Sequence, residues 1–293
     1  MSLVRRRGFT LVELLVALLL FGIVSAGIYK VLLTNQRLYQ AQTQRIDVQQ
    51  NVRAAATIFA GEFRELDAVD GDISAMTANS ITIRAMRQLG FLCDAPALPA
   101  AGPPYNVTMT VRATPLYGSQ MFTEDVDSLL IFYEGDQTSR QDDGWHLGSL
   151  TAVAPLNCSD GKPGWKLSSR LAAFAGVQVN QAGAIAVGSP VRGFETVTYL
   201  AYQASDSRWY IGLQTAGGTQ PLIGPITGRT GLRFTYYAAN GAVTAVPAQV
   251  VRIAITVGEQ TAQPVQQSGV GGGLVTKVDS LTTQVSLRNN ARF

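Results

Sequence analysis

The sequence predicts an α+β chain: one long N-terminal helix packed on an antiparallel β-rich body. Three observations carry that prediction. No proline precedes Pro96, and an apolar tract opens this proline-free stretch. Further along it, apolar residues recur every three or four positions. From residue 73 onward the pattern changes to short alternating runs among the chain's 29 glycines. A length of 293 residues suits one large or two modest domains.

The helix begins after a basic head. Arg5, Arg6 and Arg7 precede Gly8, and an apolar tract follows from Phe9 to Tyr29. Twenty-one residues at about 1.5 Å each cross a hydrocarbon core of about 30 Å. The arginines predict a cytoplasmic N-terminus with the body facing outward. After Tyr29 no apolar run reaches the roughly 18 residues needed for a second span. An ordinary secretory signal has a shorter apolar stretch with a small-residue cleavage site behind it. Here the compact cleavage-like site, Arg7-Gly8-Phe9, lies before the stretch, and Ser25-Ala26-Gly27 is a weaker one after it.

One carboxylate, Glu13, interrupts the tract. An acidic residue at the centre of a membrane helix costs about 2.5–3.5 kcal/mol, so intramembrane carboxylates usually mark function. Snorkelling to the headgroups of a plain anchor is the alternative, but it leaves Gly8-Phe9-Thr10 unexplained.

Past the tract, Val48, Val52, Ala55, Phe59, Phe63 and Leu66 form one apolar helical face. Arg45, Asp47, Arg53, Glu62 and Arg64 fall mostly off it. The reading is one helix from Phe9 to Leu66. Gly22 and Gly27 each weaken it by about 1 kcal/mol relative to alanine. They permit bending or close helix packing.

In the body, the runs 81–85, 107–113, 128–134, 196–203, 208–213, 231–238, 249–257 and 281–287 read as strands. Ala204 to Ser207 is a hairpin turn, and Asn240-Gly241 is a second turn signal. Asp94 to Pro104, with four prolines, reads as a surface loop, and Ser268 to Gly273 as a flexible connection.

Only two cysteines occur, Cys93 and Cys158. An exported body puts them in an oxidising space, where a disulfide is the default and two separate thiols the alternative.

Several chemistries are disfavoured. The net charge is +3, three of the basic residues sit in the head, and there is no basic patch interleaved with aromatics, so nucleic-acid binding is not indicated. His146, the single histidine, lies beside Trp145 in a turn-rich segment and reads as a surface residue. No nucleophile elbow, phosphate-binding loop or dinucleotide fingerprint occurs, so no enzymatic activity and no cofactor is expected. Glu124 to Asp127 and Asp142-Asp143 lack the spacing of a calcium-binding EF-hand loop and read as solvated turns, with a structural calcium site as the alternative.

Gly8-Phe9-Thr10-Leu11-Val12-Glu13-Leu14-Leu15-Val16-Ala17 resembles the class III signal of type IV pilins and type II secretion pseudopilins. The resemblance implies that a prepilin peptidase removes residues 1–8, cutting after Gly8, and N-methylates Phe9. Glu13 then becomes the fifth mature residue. In a filament it would pair with the Phe9 amine of a neighbouring subunit. Two unit charges at about 4 Å attract by about 4 kcal/mol at an effective dielectric of 20, before desolvation is subtracted.

Further on, Phe194 to Tyr199, Gly231 to Tyr237, Val250 to Val257 and Leu281 to Asn289, in that order, resemble PilW-type minor pilins and the related J-type minor pseudopilins. Between residues 86 and 190 no family pattern is visible, and this extra length favours the pilus version. The expected organisation is a leader at 1–8, a membrane or filament-core half-helix at 9–29, an amphipathic half-helix at 30–70, and a periplasmic β-rich body at 71–293. The expected partners are prepilin peptidase, the inner membrane before assembly, and other major and minor pilins or pseudopilins. Three roles follow in order: minor pilin, minor pseudopilin of type II secretion, and a membrane-tethered binding module or hydrolase.

Overall fold

The computed structural model describes residues 9–97, 104–118, 120–134, 143–171, 185–266 and 273–288. Helix α1 spans Leu11–Arg64, 54 residues and about 80 Å long. It is slightly shorter than the expected Phe9 to Leu66, because Thr10 and Glu65 take the two cap positions. Every residue of the expected apolar face, from Val48 to Leu66, is buried.

The strands follow in order. They are β1 (Ile73–Met76), β2 (Ser80–Ala97), β3 (Tyr105–Arg112), β4 (Tyr117–Gly118) and β5 (Ser128–Tyr133). Next come β6 (Gly144–Asn157), β7 (Pro163–Leu171), β8 (Pro190–Gln203), β9 (Trp209–Thr215) and β10 (Gly218–Ile226). The last are β11 (Leu232–Tyr237), β12 (Arg252–Gln260), β13 (Val265–Gln266), β14 (Leu274–Val275) and β15 (Val278–Ser286). All pairings among them are antiparallel.

Two cores divide the body. In the first, the buried face of α1 lies on β1, the first half of β2, the second half of β8, and β9 to β12 with β15. Phe59 is its centre. Its ring meets Tyr199 and Phe234 edge-on, at 5.2 and 5.7 Å between centroids, the arrangement aromatic quadrupoles favour. Beyond Gln260 the β12–β15 hairpin continues as an arm, β13 and β14, that follows α1 towards its N-terminus. There Val265 is buried, and the Gln263 amide donates to Gln44 Oε1 at 3.4 Å.

The second core belongs to the stretch with no recognisable pattern. β2 pairs β3, β3 pairs β7, β7 pairs β6, β6 pairs β5, β5 pairs β8, and β8 returns to β2. Six strands therefore close a staggered ring. All six contribute to one buried cluster: Leu92, Val107, Met109, Val111, Leu129, Ile131, Leu150, Leu167, Leu171 and Val191. The long strands β2 and β8 run through both cores and join them.

The eight expected strands are all present. The segment read as a loop from Asp94 is corrected in part: β2 continues to Ala97, with Asp94 opposite Thr110 and Ala97 opposite Thr108 on β3. Residues 98–103 lie outside the described residues, as does the expected connection at 268–272. The 204–207 turn joins β8 to β9, with Ala204 N donating to Arg208 O and Ser207 at φ 62°. Asn240-Gly241 turns as expected, with Gly241 at φ 80°, on a longer connection between β11 and β12.

Candidate assembly site at the helix N-terminus

The start of α1 is a reciprocal cap. Thr10 is extended (φ −83°, ψ 152°), and its Oγ1 accepts from Glu13 N at 3.2 Å. The Glu13 Oε2 atom accepts in return from Thr10 N at 3.3 Å. This Ser/Thr-x-x-Glu arrangement satisfies two orphan donors, and the carboxylate faces the positive end of the helix dipole. Glu13 thus has a local structural role as well as an unusual place. Thr10 as the partner was missed at the sequence level, although the Thr-x-x-Glu spacing is its signature.

Around this cap the helix is bare. Residues 9–32 are all exposed, Phe9 at 83%. Among them only Glu13 and Lys30 carry charge. An apolar surface of this extent is not left in water by a soluble protein. The helix is long and apolar enough to cross a membrane. Gly8, on the other side of the expected cleavage point, lies outside the described residues.

The other expected site residues lie far along the chain. Cys93 on β2 and Cys158, at the turn after β6, are joined by a disulfide. Asp94 stands beside it, and its carboxylate accepts from Ser159 N. The two sulfurs and Asp94 lie close enough to suggest a metal group, but bonded sulfurs have no thiolate to offer.

His146 is corrected from a surface residue to a buried one. It is 3% exposed and stacks on Tyr133 at 4.2 Å, because Trp145 and Leu147 take the alternate positions of β6. Burial lowers its pKa to about 4. The turn at 124–127 is corrected in part: Glu124 and Asp125 are exposed as expected. Asp127 is buried, and its Oδ2 accepts from Thr123 N at 2.7 Å and Gln88 Nε2 at 3.2 Å. Burial nonetheless raises its pKa. Asp142 lies outside the described residues.

A long apolar helix with a capped acidic first turn, laid on an antiparallel sheet, is consistent with a type IV pilin-like chain. The family model described as prokaryotic N-terminal methylation motif matches residues 3–29. The chain therefore carries a class III prepilin signal, and the match supports a type IV pilin- or pseudopilin-like protein, processed by prepilin peptidase and assembled with pilins. The same motif and helix support membrane anchoring. Comparison with curated proteins and with solved structures gives no match.

Proposed function

We propose that the protein is a minor pilin, a structural or priming subunit of a type IV pilus whose work is assembly. Cleavage after Gly8 removes the arginines and frees an amine on Phe9, which is then methylated. The helix waits in the inner membrane with the body in the periplasm, then moves into the filament with its exposed face covered by neighbouring helices. Glu13 meets the Phe9 amine of an adjacent subunit and sets the axial register.

The methylation-motif match at residues 3–29, directly ahead of a helix bare from Phe9 to Leu32, carries this reading. The six-stranded ring is a large addition to the helix-and-sheet unit. It suits a specialised subunit more than a repeating shaft subunit, and it favours the pilus over the J-type pseudopilin of type II secretion.

Two substitutions and a deletion test the proposal. Glu13→Gln keeps an acceptor for Thr10 and removes the charge, whereas Glu13→Ala removes both. Both variants should insert in the membrane and both should be depleted from sheared filaments. Normal incorporation of either would contradict the charge pairing. Deleting the gene should abolish twitching and leave exoprotein secretion intact; the opposite pattern would favour the pseudopilin.

A further inference from the structure

On β12 the side chains that meet α1 run Ile253, Ile255, Val257, and the row ends at Glu259. Glu259 is fully buried. Neither carboxyl oxygen makes a hydrogen bond of ordinary geometry among the described residues. Opposite it on α1 is Asn51, whose Nδ2 donates to Gly224 O on β10 at 3.4 Å. β10 and β12 meet at Ile226 and Glu259. One carboxyl therefore occupies the joint of helix, β10 and β12.

An ionised carboxylate there would be shut off from bulk solvent with no ion-pair partner among the described residues, a costly state for a buried charge. Within two turns of Asn51, α1 carries Arg45, Asp47 and Arg53; Arg229 lies in the turn before β11, Lys277 directly before β15 and Asp279 at its start, while Arg233 and Arg252 stand further along β11 and β12. None of them forms an ion pair with Glu259 among the described residues. Burial pushes its pKa up to about 7, opposed only by the Asn51 amide.

We propose that Glu259 is a proton-operated latch between helix and sheet. Its neutral carboxyl lets the Val48–Val52 turn of α1 lie down on β10 and β12, and its ionisation loosens that joint. The docked state holds the proton more tightly than the opened state, in which the carboxyl returns to an ordinary value near 4.5. Docking is therefore strongest below that value, weakens as pH rises towards about 7, and changes no further above it.

Amide hydrogen exchange on the full chain in detergent micelles tests the latch. Protection factors of the α1 amides from Val48 to Phe59 should fall about 20-fold between about pH 5.5 and 7.5. In Glu259→Gln they should not vary over that range. A pH-independent wild type, or an unchanged pH dependence in Glu259→Gln, would overturn the proposal. Should that variant not fold, the wild-type carboxyl infrared band decides: a protonated band from Glu259 should persist at about pH 6, and a fully ionised one would overturn the latch.

Discussion

Arg87 Nη1 lies 2.7 Å from Glu62 Oε1 and ties the last turns of α1 to β2, at the irregularity between Met86 and Gln88 where the strand passes from the first core to the second. The same guanidinium reaches Glu195 on β8, Nε to Oε2 at 3.8 Å. One cation therefore serves two part-buried carboxylates on two elements. Arg87→Ala would leave both uncompensated and should destabilise the body by about 2–3 kcal/mol. A fully buried pair would cost more, since these carboxylates keep some contact with water. Urea unfolding of the variant against wild type measures it.

Phe59 is the point where α1 meets the sheet, fully enclosed by Phe63, Tyr199 and Phe234. Phe59→Ala removes a ring from a core with no route to collapse. It should cost about 3–5 kcal/mol, by the same unfolding measurement, while the Cys93–Cys158 bond should still form.

The disulfide closes 64 intervening residues, which carry β3, β5 and β6 of the ring. In the chain-entropy model, that closure stabilises by about 4 kcal/mol. Cys93→Ser should lower the thermal midpoint, and reductant should lower the wild type by a similar amount while leaving the variant unchanged.

His146 gives the ring an acid sensitivity. Its folded pKa, about 4, lies below its ordinary value of 6.5. The unfolded chain therefore takes up the proton first, and stability is lost as pH falls from about 6.5 through 4. About 3 kcal/mol is at stake at the acid limit. The imidazole resonances should stay in the neutral form down to about pH 5, and His146→Gln should flatten the acid limb of the stability curve.

How legible was this in the sequence? The helix and its buried face read directly, because a 3.6-residue period with large apolar side chains survives intact from Val48 to Leu66. The strands that escaped have specific reasons. On β6 the inward positions include His146 and Gly148, and on β7 they include Ser169, so the apolar alternation is broken. On β10, Pro221 and Pro225 argue against a strand, and they are tolerated because only Ile226 of that strand pairs with β12. Closure of the ring depends on β8 returning to β2 across more than 100 residues, and no local pattern encodes such a pairing. Glu259 was within reach, because it continues the Ile253, Ile255, Val257 alternation on a face where a charge is out of place.

The central claim is that residues 1–8 are a leader and that Phe9 is the mature N-terminus. Intact-mass and N-terminal peptide mass spectrometry of the protein from cells with active prepilin peptidase tests it most directly. The mature chain should begin at N-methylated Phe9. A chain that keeps Arg5 to Gly8 in those cells would contradict it.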